Sequence, residues 1–83
     1  MQYSLFYTQT AVKDIKKLDT IAQKRLQKKL TLLATNPLHY SKKLIHSDLG
    51  TYRYRVGDYR IVFDLNSKDI IILRVGHRRE IYK

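Results

Sequence analysis

Residues 52–63 read Tyr52-Arg53-Tyr54-Arg55-Val56-Gly57-Asp58-Tyr59-Arg60-Ile61-Val62-Phe63, two alternating runs on either side of a Gly-Asp pair. A two-residue loop with glycine at its first central position suits a type II′ turn, whose twist matches that of the strands it joins. With Gly57 and Asp58 as the turn, Val56 opposes Tyr59, Arg55 opposes Arg60, Tyr54 opposes Ile61, Arg53 opposes Val62 and Tyr52 opposes Phe63. One face then collects Tyr52, Tyr54, Val56, Tyr59, Ile61 and Phe63, and this is the core side. The other collects Arg53, Arg55 and Arg60. Like charges directly across a ladder destabilise it by about a few tenths of a kcal/mol, so this pairing calls for an anion. Two readings stay open: a solvated face with counterions, or a phosphate site. Guanidinium groups bind phosphate bidentately and keep their charge, and a merely soluble face would intersperse acids, which favours the second. Tyr52 and Tyr54 are interleaved with the arginines, but alternation sends them to the buried side.

Downstream, Ile70 to Val75 is a third, very apolar strand. Upstream, residues 38–50 show neither period and contain Ser41, Ser47, Asp48 and Gly50, which reads as a connecting loop that starts basic at Lys42-Lys43. Before it, Ala22, Leu26, Leu30 and Leu33 form one helical stripe that Asn36-Pro37 ends, and Thr20-Ile21-Ala22-Gln23 fits a capping box. Ala11, Ile15 and Leu18 give a shorter amphipathic helix with Lys13, Lys16 and Lys17 outside, capped by Thr8 or Thr10. Tyr3 to Tyr7 is an opening strand. The expected fold is α+β: an N-terminal strand, a two-helix hairpin, then a three-stranded antiparallel meander with the helices on one sheet face, and residues 1–83 are expected to form one domain.

The chain has 83 residues, with 17 Lys and Arg against 7 Asp and Glu, a formal charge of +10. So short a chain has one modest core, and any site lies on an open surface or shallow groove. The charge opposes compaction and draws the protein to polyanions, either nucleic acid or an acidic partner protein. It is no detachable tail: residues 1–41 carry seven basic and two acidic side chains, residues 42–83 ten and five. Lys24, Arg25, Lys28 and Lys29 put like charges at i,i+4 twice, which reads either as a solvated helix face or as a docking surface for RNA phosphates or an acidic partner. Cysteine is absent, which suits a reducing cytosol. No apolar run resembles a signal peptide or approaches the ~20 residues that span a bilayer, so a cytoplasmic protein without membrane contact is expected. The scattered histidines and missing carboxylate cluster predict no metal and no other cofactor. His46-Ser47-Asp48 names the residue types of a hydrolytic triad, but loop neighbours cannot adopt its geometry.

After the last strand the chain reads Gly76-His77-Arg78-Arg79-Glu80-Ile81-Tyr82-Lys83. An imidazole, two guanidiniums and a phenol at one strand exit suit phosphodiester chemistry. Metal-free RNA cleavage needs a base for the 2′-hydroxyl proton, positive charge on the phosphorane oxygens and an acid for the leaving 5′-oxygen. For His77 the bland alternative is a histidine with no chemical role, and for Tyr82 a phenol that only packs the chain end.

Lys43-Leu44, the 52–63 segment and Gly76-His77-Arg78-Arg79-Glu80-Ile81-Tyr82 together resemble the RelE/ParE superfamily of toxin–antitoxin toxins, over nearly the whole chain. The middle segment is shared across the superfamily, and the ending is similar to the RelE-type ribonuclease branch rather than the gyrase-poisoning ParE branch. The resemblance implies an endoribonuclease that cleaves mRNA in the ribosomal A site without metal, leaves 2′,3′-cyclic phosphate and 5′-hydroxyl ends, and forms a hetero-oligomer with a cognate acidic antitoxin. It further implies that Arg60 and Arg78 stabilise charge on the scissile phosphate and that Tyr82 activates the 2′-hydroxyl. Beside them, the basic residues Lys43, Arg53, Arg55, Arg79, Lys24 and Lys28 are the candidates for binding phosphate. Arg53 and Arg55 stand where the best-known RelE members carry lysine. A guanidinium with a pKa above ~12 hardly releases a proton, so these two position and neutralise, and His77 becomes a candidate for the leaving-group acid.

Overall fold

The computed structural model describes residues 2–43 and 52–77. Its elements run β1 (Ser4–Tyr7), α1 (Gln9–Lys16), α2 (Thr20–Leu33), α3 (Pro37–Tyr40), β2 (Lys42–Lys43), β3 (Tyr52–Val56), β4 (Tyr59–Asn66) and β5 (Asp69–His77). The five strands form one sheet in the order β1-β5-β4-β3-β2. The α+β fold and the meander are as expected, and the β3–β4 register matches the sequence reading at all five pairs. Gly57 takes φ +59°, and Asp58 is not among the positive-φ residues, which is the type II′ pattern.

Two expectations are corrected. The segment from residue 38, read as loop, holds within its described part most of α3 and the edge strand β2, elements too short to show a period. Residues 44–50 lie outside the described residues, as does Thr51. The capping box is also replaced. Asp19, one residue earlier, caps α2 by accepting from the Ala22 N–H (2.7 Å), and Gln23 turns away to donate to the carbonyls of Ile15 (2.9 Å) and Leu18 (3.1 Å). Gln23 thus adds to Ile15 O, which already accepts from the Leu18 N–H, and ties α2 to the end of α1 and the turn after it.

The stripe Leu26, Leu30 and Leu33 of α2 joins Ala11, Tyr54, Val56, Ile61, Phe63, Ile70, Ile72 and Val75 in one core against the sheet. β5 contributes Ile70, Ile72 and then Val75, a break in alternation that a bulge explains: Phe63 pairs with Ile72 and Val62 with Arg74, leaving Leu73 as the extra residue. Without it, Arg74 would face the core.

β1 pairs in parallel with β5 only from Asp69 to Ile72. Beyond that, α1 takes over the edge. The Thr8 N–H donates to Ile72 O (3.0 Å), and the Thr8 hydroxyl donates to Leu73 O (3.0 Å) while accepting from the Ala11 N–H as the N-cap of α1. Asp14, buried on α1, accepts from the Val75 N–H (3.0 Å) and from Arg74 Nε (2.8 Å). Removing that carboxylate leaves a buried strand N–H unsatisfied and a cation without its partner. Because the Arg74 side chain is 41% exposed, water screens much of the second effect. Asp14→Ala should therefore lower unfolding stability by about 2–3 kcal/mol, mostly from the N–H, as measured by urea denaturation. A loss below half a kcal/mol would mean that the edge is satisfied some other way.

Candidate functional site

The hairpin register puts Arg53, Arg55 and Arg60 on the sheet face away from α2, and they share one cavity of about 210 Å³ with Tyr40 and Lys42. Each element delivers its residue for a local reason. β2 pairs antiparallel to β3 with Lys42 opposite Arg53, so Lys42 takes the arginine face, whereas Lys43 pairs with Tyr52 and does not line the cavity. α3 starts at the fully buried Pro37 and ends where the Ser41 hydroxyl donates to Pro37 O (2.6 Å), and this sets Tyr40 at the cavity wall.

Burial inside the cavity is uneven. Arg55 is exposed and Arg53 half-buried, but Arg60 is only 5% exposed. The picture of three arginines on a solvated face therefore fails for Arg60. Its neighbour on the same face, Val62, is fully buried between Arg53 and Arg74 in the ladder. Arg60 Nη1 reaches Tyr59 O at 3.5 Å, a long contact. Four cations and no acid line the cavity among the described residues. Like charges gathered on one concave surface repel one another, and an anion bound there relieves the repulsion.

The tyrosines of β3 serve the core. Tyr52 stacks on Phe63 at 5.5 Å between centroids, and Tyr54 is 6% exposed. Burial raises the pKa of the Tyr54 phenol above its ordinary value, with a smaller contribution from the adjacent Tyr40 phenol. Tyr54 is thus held neutral and is not a base for the cavity.

His77 goes elsewhere. It pairs with Tyr59 across the β4–β5 ladder, its ring edge-on to Tyr59 at 6.1 Å, and it lines a second cavity of about 320 Å³ with Asp14, Lys17, Leu18, Tyr59, Arg74, Val75 and Gly76. The residue of β5 opposite Arg60 is Gly76. Lys24 and Lys28 are exposed on α2 and line neither cavity. Arg78, Arg79 and Tyr82 lie outside the described residues. Sequence reasoning missed Lys42, Tyr40 and the Asp14–Arg74 pair. For Lys42 the signal was available: a lysine paired with Arg53 shares its face.

Among the described residues, no helix is long and apolar enough to cross a membrane. Residues 5–82 match the family model described as the ParE toxin of type II toxin-antitoxin system. Toxin RelG of Mycobacterium tuberculosis is 33% identical over 86 residues, spanning 100% of this chain and 99% of the relative. Toxin RelE3 of Methanocaldococcus jannaschii is 34% identical over 82 residues, spanning 94% and 93%. Among solved structures, the toxin–antitoxin complex RelBE2 of M. tuberculosis contains a chain that superposes with a TM-score of 0.83 at 29% identity, covering 94% of this chain and 100% of that one.

Raised folded-state pKa values make a pH prediction. Neutral Tyr54 is favoured by the fold, so its contribution is intact below the ordinary phenol pKa of about 10 and is lost as pH rises through the higher folded value. Denaturation midpoints should fall as pH rises above about 10, and Tyr54→Phe should flatten that fall, leaving the share due to Tyr7, whose phenol burial also raises. An unchanged slope in the variant would show that the alkaline loss arises elsewhere.

Proposed function

The chain belongs to the ParE toxin family of type II toxin–antitoxin systems, and on that premise we propose that this toxin is a metal-free endoribonuclease of the RelE kind, acting in the cytoplasm on mRNA in the ribosomal A site. The observation that carries the reading is the cavity lined by Lys42, Arg53, Arg55 and Arg60 without a lining acid among the described residues. Such a surface suits a phosphodiester better than a neutral ligand.

In this reading the 2′-oxygen attacks phosphorus and the bond from phosphorus to the 5′-oxygen breaks, giving a 2′,3′-cyclic phosphate and a 5′-hydroxyl. Tyr82 takes the 2′-hydroxyl proton, its phenolate favoured by the surrounding guanidiniums. Arg60 and Arg78 stabilise the phosphorane oxygens, while Arg53, Arg55, Lys42 and Arg79 hold the flanking phosphates. Lys43 and the exposed Lys24 and Lys28 give further phosphate contacts along the RNA or the ribosome. The leaving 5′-oxygen needs a proton that no arginine releases. His77 follows Gly76, the residue paired with Arg60, and is the donor candidate from the sequence, although its ring lines the other cavity, on the sheet face of its partner Tyr59 rather than that of Arg60. A cognate acidic antitoxin, in the manner of the complex that contains the structural relative, neutralises the toxin by covering the arginine face or displacing the C-terminal segment. Because the matching family is named for the ParE toxin, a second reading stands beside this one, the ParE-like inhibitor of DNA gyrase without enzymatic activity that the sequence resemblance also allows.

Expression of the protein should give new cuts in translated mRNA by primer extension, with the stated end groups, and cutting should persist in EDTA once the ribosome's own need for magnesium is controlled. Tyr82→Phe should fold and bind RNA like the parent but cleave at least ~10²-fold more slowly, as for loss of a general base. Toxicity with no RNA cleavage would hand the function to gyrase inhibition. Parental cleavage by Tyr82→Phe would make the phenol structural and turn the search for the base to His77.

Arg60→Gln should remain cooperatively folded and lose activity, and binding to single-stranded RNA should weaken with salt by about 0.7 in log K per log salt for each phosphate neutralised. A flat salt response, or failure of Arg60→Gln to unfold cooperatively, would count against a phosphate site.

A further inference from the structure

The arginine cavity has one aromatic wall. Tyr40 lines it beside Lys42, Arg53, Arg55 and Arg60, and no other aromatic residue does among the described residues. β3's own tyrosines are unavailable: Tyr54 is in the core, and the Tyr52 ring is stacked on Phe63. Tyr40 differs from both. It is 37% exposed, and its ring is held from two sides, edge-on to His39 at 4.8 Å and tilted against Tyr54 at 6.4 Å. The backbone beneath it is also fixed, by Pro37 at the start of α3, by the Ser41 hydroxyl on Pro37 O at its end, and by the pairing of Lys42 with Arg53 just beyond.

A rigid, part-exposed ring at the rim of a cationic cavity has the features of a single-strand subsite. The guanidiniums track phosphates and take no account of the base, whereas a ring face takes a base by stacking. Accepting the ribonuclease reading, on which this step rests, we propose that Tyr40 is a stacking platform for the nucleobase next to the phosphate bound by Arg53, Arg55 and Arg60. Little ordering is needed on binding, because the ring is already held by its neighbours. Tyr40 also makes the cavity selective for a strand with a splayed base: a paired base has both faces stacked in the duplex and cannot meet the ring. Tyr40 therefore acts on binding and register, and takes no part in proton transfer.

The chain contains no tryptophan, so Tyr40→Trp in the full-length protein provides a single fluorescent reporter at the rim. The probes are a 2′-O-methyl hexa-adenosine, which cannot be cleaved, and an abasic ribose-phosphate strand of equal length. The first should quench the tryptophan and the second should not. Tyr40→Leu keeps apolar bulk against Tyr54 while removing the ring, and should bind hexa-adenosine at least about fivefold more weakly with an unchanged salt slope and unchanged affinity for the abasic strand. Tyr40→Phe should restore binding. In cleavage assays Tyr40→Leu should raise KM and leave kcat near the parental value. Equal weakening for both strands, no weakening for either, or quenching by the abasic strand would each overturn the platform while leaving the arginine site standing. A parent that binds neither strand would overturn the RNA reading, and the platform with it.

Discussion

The edge of β5 beyond Ile72 is the constraint on which the rest of the molecule turns. β1 is too short to cover it, and an open edge at the centre of a small sheet would leave strand N–H and C=O groups without partners. α1 supplies those partners through side chains. Thr8 serves Leu73 O, and Asp14 serves the Val75 N–H and Arg74. One helix therefore performs two tasks, contributing Ala11 to the core and finishing the ladder at its side.

That arrangement works because of the bulge at Leu73. An ordinary strand would present Arg74 to the core and Val75 to the other face. The extra residue reverses this, so the guanidinium meets Asp14 at the edge and Val75 joins Ile61 inside. It also sets Gly76 opposite Arg60. Glycine adds no side chain to the arginine face there. The positive cavity depends on a sheet stiff enough to hold like charges together, and that stiffness originates on the far side of β4, in the core made with α2.

Much of this was legible in sequence wherever a period persisted. The hairpin from Tyr52 to Phe63 gave its register and both faces because the turn chemistry and the alternation agree, and the Leu26, Leu30, Leu33 stripe identified α2. Short elements were illegible, since four residues of α3 and two of β2 complete no pattern. Contacts between residues 60 apart in sequence, such as Asp14 with Arg74, leave no local trace, and a bulge inside an apolar run is invisible while every neighbour is apolar. Gln23 followed a local signal to the wrong partner: the residue type required by a capping box equally suits capping of the preceding helix, and tertiary proximity decided between them. For the site, the arginine cluster was legible from charge alternation, but the low exposure of Arg60, the choice of Lys42 over Lys43, and the presence of Tyr40 depended on where β2 pairs.

The parallel pairing of β1 with β5 has a consequence for how such a protein comes into being. Ser4 to Tyr7 are synthesised well before their partners, Asp69 to Ile72, which lie 65 positions further along the chain (69 − 4). Local contacts can form the helical hairpin early, but the sheet cannot close until the chain through β5 has left the ribosome, because the loop between the paired strands spans most of the molecule. Synthesis and folding are thereby separated in time. A nascent chain therefore has its arginines before it has the edge that holds them in register.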